Sequence, residues 1–129
     1  MQDDVSMPRS RSQKVSRRGL AGTLFVHKVA GVAASTGHSL QQVAQLAQHV
    51  ADNVGTIGVS LNHCTLPGQS EVVSLATDEI ELGMGIHNEP GTRKISPQPE
   101  ITRLIDSMLD HLLNMDDQDR GYLEIHNSA

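Results

Sequence analysis

His87 follows two glycines at alternate positions, Gly83 and Gly85, and stands directly before Asn88-Glu89-Pro90-Gly91. An imidazole is mostly uncharged at neutral pH and keeps a nitrogen lone pair. Such a nitrogen can accept a proton or add to an electrophilic carbonyl. Glycines beside it leave its own face free of side chains. Glu89 could orient the ring, although a carboxylate in a turn is most often simply solvated. The bland alternative is an ordinary surface histidine, with glycines that mark a bulge or a close backbone approach.

The element that must present this histidine is legible as a strand. Ile80, Leu82, Met84 and Ile86 alternate with Glu79, Glu81, Gly83, Gly85 and His87, the period of a strand with one buried face. The expectation is a strand from Glu79 to His87, closed by a type II turn at Glu89-Pro90-Gly91. Strand ends of α/β proteins are places where ligands collect.

Around it the chain reads as helices and short strands. A helix is expected from Gly19 to about Ser35, with an apolar stripe of Leu20, Leu24, Phe25, Val29, Val32 and Ala33. The small residues Gly22, Ala30, Gly31 and Ala34 predict close packing on it. Gly37 ends it. Ser39 and Gln42 have capping-box spacing, and Leu40, Val43, Ala44, Ala47, Val50, Ala51 and Val54 recur with helical period up to Gly55. Thr56–Asn62 reads as a short strand, Thr65–Gly68 as a turn, and Gln69–Thr77 as a loop around Val72 and Val73. Arg93–Pro99 reads as a linker. Pro99 is expected at the first position of a helix striped by Ile101, Leu104, Ile105, Met108 and Leu112. Asn114–Gly121 reads as a loop, and Tyr122–Ala129 as a strand that stops abruptly.

Composition narrows the classes. The 129 residues make one domain at most. With one Phe, one Tyr and no Trp, the core must be aliphatic, and no stacking platform for single-stranded nucleic acid exists. The lone Cys64 fits a reducing, cytoplasmic compartment, and no apolar run approaches a membrane span. Residues 1–18 carry a balance of +3 and the remainder −8, which gives the net −5. A basic arm can bind nucleic acid, but dispersed charges among serines read as a solvated connector. The division is therefore a basic extended arm, 1–18, and a domain, 19–129.

Competing chemistries find little support. His27, His38 and His49 are evenly spaced, but Gly37 breaks the helix between them, and neither HExxH nor CxxC occurs, so no metal site is expected. There is no GxxxxGK[ST], and Gly83-Met84-Gly85 lacks the helix start that a dinucleotide fingerprint needs. Nothing supplies the metal-bridged phosphates of phosphoryl transfer.

Three blocks carry a resemblance: Gly83–Gly91, Arg17–Lys28 (Arg-Arg-Gly-Leu-Ala-Gly-Thr-Leu-Phe-Val-His-Lys), and Gly58-Val59-Ser60-Leu61 leading to Cys64-Thr65-Leu66-Pro67-Gly68. In this order they resemble the substrate-binding domain of dihydroxyacetone (glycerone) kinases, the fungal type above all, from about Asp3 to about Asp119. Asn88 departs from the Gly that many members carry; Asn accepts turn conformations.

The resemblance implies an α/β fold, a mixed sheet with packed helices, forming the partial second half of that domain. It places on His87 the capture of dihydroxyacetone as a covalent hemiaminal, with Gly83 and Gly85 leaving room for the adduct. A tether of this kind fixes a small ketone for reaction, and related short ketoses and trioses share the carbonyl. The family's upstream acid and base, and its nucleotide region, have no counterpart here. ATP and Mg are therefore expected only with a separate nucleotide-binding part, in a pathway of glycerol catabolism. The chain reads as an internal segment, truncated at both ends, with a homo-oligomer left open and neither nucleic acid nor membrane as a partner. The alternative is a non-catalytic fragment that binds a ketone or a partner and regulates.

Overall fold

The computed structural model describes residues 1–7, 17–65, 67–68 and 75–114. Its elements are α1 (Gly22–Ser35), α2 (Leu40–Asp52), β1 (Val59–Ser60), β2 (Ile80–Leu82), β3 (Arg93–Ile95) and α3 (Ile101–Leu113). The three strands form one antiparallel sheet in the order β1-β2-β3. A parallel bridge joins Asp4 to Thr56. The α/β class expected from the sequence holds. The readings of residues 69–74 and of the segment 115–129 lie outside the described residues, as does the stretch 8–16.

Helix α1 ends as its glycine requires. Gly37 has φ +84, its amide donates to Ala34 O, and the His38 amide donates to Ala33 O, each at 3.1 Å. This is a Schellman closure, which a left-handed residue makes cheap. Ser39 then opens α2 with the full capping box: its hydroxyl accepts from Gln42 N, and the Gln42 side chain accepts from Ser39 N at 2.9 Å. The two helices pack on each other.

The packing reading of α1 needs correction. Leu24, Phe25 and Val32 are exposed, whereas Gly22 and Ala33 are buried. Gly31 has open space where a side chain would go, so its cost in helix propensity is not offset by a close neighbour among the described residues. Gly22 is the tight position, and the neighbour is the Asp3 carboxylate.

Two more expectations change in the sheet. Arg93–Ile95 is a strand, not a linker: Ile80 faces Ile95, Glu81 faces Lys94, and Leu82 faces Arg93. Three residues are too few to show a period, and the pairing comes from β2. In β2 both faces are interior, because Ile80 and Glu81 are both buried. Helix α3 begins two residues after Pro99, with Glu100 as its N-cap. Leu104 is its buried anchor, and Ile101 and Ile105 are exposed.

The N-terminal residues are interior. Asp3, Asp4, Val5 and Ser6 are buried. The backbone of Asp3 and Val5 bonds to Thr56 at 2.7 and 2.9 Å, and Asp4 N donates to Arg18 O at 3.0 Å. The Asp3 carboxylate accepts from Leu20 N at 2.8 Å, Gly22 N at 2.7 Å and Thr56 Oγ1 at 2.6 Å. It thereby caps α1, whose own N-cap residue, Ala21, has no side-chain acceptor. Burial disfavours the charged form of Asp3, but these hydrogen bonds outweigh it and hold the carboxyl below its ordinary value.

Candidate functional site

β2 ends at Leu82, and the chain then forms a hairpin rather than more strand. Gly83 sits at φ +73, a conformation that breaks the alternation read from Glu79 to His87. The turn also moves. Asn88 N donates to Gly85 O at 3.0 Å and Gly85 N to Glu89 O at 2.9 Å, so the loop closes over Ile86-His87-Asn88. Asn88 takes φ +61, whereas Gly91 is not left-handed. A turn followed by one left-handed residue is a standard three-residue hairpin connection. His87 is at its tip, not at the end of a strand.

Asn88 does more than tolerate the turn. Its Oδ1 accepts from Cys64 N at 2.8 Å, and its Nδ2 donates to Cys64 O at 2.7 Å. The side chain thus pairs with backbone as a neighbouring strand would. A glycine in its place would keep the conformation and lose both bonds.

At the tip the imidazole is ordered by one neighbour. His87 Nδ1 lies 3.0 Å from Glu89 Oε1, and His87 N donates to Glu89 Oε2 at 3.0 Å. The pair is open to solvent, with the side chains 78% and 45% exposed. The Glu89 carboxyl is lowered to about 2, by its own backbone amide first, then by the His87 side chain and amide. An ionised carboxylate only accepts hydrogen bonds, so Nδ1 is the nitrogen that carries the proton. In the neutral ring Nε2 then keeps the lone pair, on a side chain open to solvent. Chemically, such a pair can serve as a nucleophile and its orienter.

The two glycines have steric reasons of their own. A Cβ at Gly83 would strike the Ser6 hydroxyl, and one at Gly85 would strike the Glu89 carboxylate. Two cavities lined by described residues lie elsewhere. One, near 240 Å³, is bounded by Ser6, Leu82, Leu104 and His111, and another by Gln2, Arg17 and Asp52. Neither includes His87.

Residues that the motif did not single out hold the hairpin in place. Arg18 Nη1 donates to Gly83 O at 2.6 Å and Nη2 to Pro90 O at 2.9 Å. Buried Glu81 accepts from Gly91 N at 2.5 Å and has His63 Nε2 at 3.8 Å. Arg18 lies in one of the sequence blocks, which does not set it apart from its neighbours, and Glu81 lies just outside them.

The Dak1 domain model matches residues 1–127. The chain belongs to the dihydroxyacetone kinase family. Among its Dak1 relatives, dihydroxyacetone kinase 2 of Saccharomyces cerevisiae is 51% identical over 95% of this chain and 20% of its own length. The triokinase/FMN cyclase of Mus musculus is 45% identical over 79% of this chain and 18% of its own. The dihydroxyacetone kinase of C. freundii superposes with a TM-score of 0.76 at 39% identity, covering 87% of this chain and 20% of that one. A dihydroxyacetone kinase operon co-activator superposes equally well, TM-score 0.76, at 32% identity over 88% of this chain and 34% of that one. The chain spans about a fifth of the length of the curated Dak1 relatives it matches. No helix among the described residues is long and apolar enough to cross a membrane.

Proposed function

We propose that this chain carries the ketone-capturing histidine of a dihydroxyacetone kinase, and that His87 Nε2 is the atom that bonds to substrate. The observation that carries the reading is the His87 Nδ1 to Glu89 Oε1 contact at 3.0 Å, which in the neutral ring puts the proton on Nδ1 and the lone pair on Nε2, on a side chain open to solvent. In the step, the Nε2 lone pair forms a bond to the ketone carbon, and the carbonyl π pair moves to oxygen, which takes a proton from water. The ring becomes cationic, with Nδ1–H directed at the ionised Glu89. The positive charge therefore develops beside a carboxylate already in place. Glycerol lacks the carbonyl and is not captured; dihydroxyacetone and related short ketoses and trioses are.

A terminal hydroxyl of the captured ketone is then the acceptor for ATP-dependent phosphorylation, within glycerol catabolism. Among the described residues no three His, Cys, Asp or Glu side chains converge as a metal site. The phosphoryl donor and its Mg come with a nucleotide-binding part, either a separate domain or a partner protein. The exposed, free Cys64 accords with a reducing, cytoplasmic setting.

Intact-mass analysis of the folded chain with dihydroxyacetone tests the reading. The expected result is an added mass of one dihydroxyacetone that disappears in His87→Ala; a folded chain without the adduct overturns it. A second reading is favoured by the likeness to the operon co-activator: a module that binds the ketone and signals its presence without turning it over. Adduct formation without product when ATP, Mg and a family nucleotide-binding part are all supplied supports this second reading, and ATP-dependent turnover rules it out.

A further inference from the structure

The His87 hairpin does not rest on its turn alone. The Arg18 guanidinium reaches across its mouth, with one nitrogen on Gly83 O at 2.6 Å and the other on Pro90 O at 2.9 Å. These carbonyls belong to the two opposite legs of the loop. A planar fork of donors can span them; the single ammonium of lysine cannot. Behind the fork lies Asp4, fully buried, with Oδ2 3.8 Å from Arg18 Nη1. Its other oxygen accepts from Ser6 N at 3.0 Å and Ser6 Oγ at 2.6 Å.

Asp4 Oδ2 has no hydrogen-bond partner among the described residues. A buried carboxylate oxygen in that state is costly unless a cation stands near it, and Arg18 is the cation. The carboxylate in turn keeps the guanidinium, only 20% exposed, from swinging out to solvent. Ser6 ties the same group to the hairpin a second time, because its hydroxyl occupies the space over Gly83.

We infer that Arg18, backed by Asp4, is the positioning residue that sets where His87 stands. The inference deepens the ketone-capture reading and rests on it for its functional consequence. Its physical content is separable: Arg18 fixes both legs of the hairpin, and through them the His87–Glu89 contact. The amides of Gly85, His87 and Asn88, each hydrogen-bonded within the hairpin, report that order directly.

The test compares wild type with Arg18→Lys and Arg18→Met, each checked for fold by circular dichroism. Three readouts are taken: hydrogen exchange at the three hairpin amides, the imidazole ¹⁵N spectrum of His87, and adduct yield with dihydroxyacetone. In both variants we expect exchange at least tenfold faster at the hairpin while α2 amides are unchanged. The Nδ1–H signature should give way to an averaged one, and adduct yield at a fixed ketone concentration should fall about tenfold. Hairpin exchange and ring spectrum like those of wild type in both variants overturn the inference. If Arg18→Met fails to fold, the Asp4→Asn/Arg18→Met pair removes the stranded charge and is read by the same criteria. Absence of the adduct on wild type refutes ketone capture alone, because exchange and ring spectrum still decide the role of Arg18.

Discussion

Replacing Glu89 by alanine removes both acceptors that order His87, the one 3.0 Å from its backbone nitrogen and the one 3.0 Å from Nδ1. With the carboxyl lowered from the ordinary 4.5 to about 2, Glu89 is ionised in any ordinary buffer. The sign follows from the depressed value: its support of the hairpin is complete above about pH 4.5 and is lost as the pH falls through about 2. The size of the effect depends on exposure. Loss of the correct tautomer in a buried catalytic triad costs about 10⁴ in rate, and loss of a partner behind a metal-bound histidine costs about 10- to 100-fold. Here the two side chains are 78% and 45% exposed, so water replaces much of the lost acceptor and the charge is screened. The expected loss lies at the low end, about tenfold.

The assay is a titration with dihydroxyacetone, reading the fraction of adduct by intact mass. Glu89→Ala should shift half-saturation upward about tenfold, and Glu89→Gln, which keeps one acceptor oxygen, should shift it less. Gly85→Ala should behave like Glu89→Ala, because its methyl would take the place of the carboxylate. A Glu89→Ala titration that overlays wild type refutes the assignment of Nε2 through its neighbour. So does a silent Gly85→Ala.

Two stability predictions accompany it. Asp3→Ala leaves the Leu20 and Gly22 amides and the Thr56 hydroxyl without their acceptor, and should cost about 3 kcal/mol in urea unfolding. Because the Asp3 carboxyl is lowered in the fold, its contribution is present above the ordinary carboxylate value and lost as pH falls below it, and Asp3→Ala should flatten that acid limb. Gly83→Ala meets both a left-handed backbone and the Ser6 hydroxyl; it should lower stability by about 1–3 kcal/mol, visible as a lower denaturant midpoint.

Local rules carry the sequence reading where structure is local. The Ser39–Gln42 box, the stop at Gly37 and the helix that follows all involve residues within a few positions of one another and appear as expected, although α2 ends at Asp52 and Leu40, read as part of its apolar stripe, is exposed. The same rules misread the stretch from Glu79 to His87, because alternation does not reveal where a pairing partner ends. β3 offers only three residues to pair with β2, and beyond Leu82 the chain turns at Gly83. The interior position of Asp3 and Asp4 is illegible for a related reason. Adjacent aspartates read as solvated, and the donors that make burial tolerable sit at Leu20, Gly22 and Thr56, far along the chain. Glu81, Arg18 and Asn88 escape a local reading similarly: their partners are 10 to 72 residues away.

These long-range partners explain why an exposed histidine can be placed well. A three-residue loop by itself fixes little, since its tip has solvent on all sides and only backbone hydrogen bonds to close it. In this chain the loop mouth is gripped by Arg18, the return leg at Gly91 by Glu81, and the tip by Asn88 on Cys64. Two of these anchors, Arg18 and Glu81, are charged groups withdrawn from water, which are poor sources of net stability. Apolar residues would make a firmer core at the same positions. They could not aim two carbonyls and an amide at fixed points. What the buried charges contribute is position, and the side chain whose position they determine is His87.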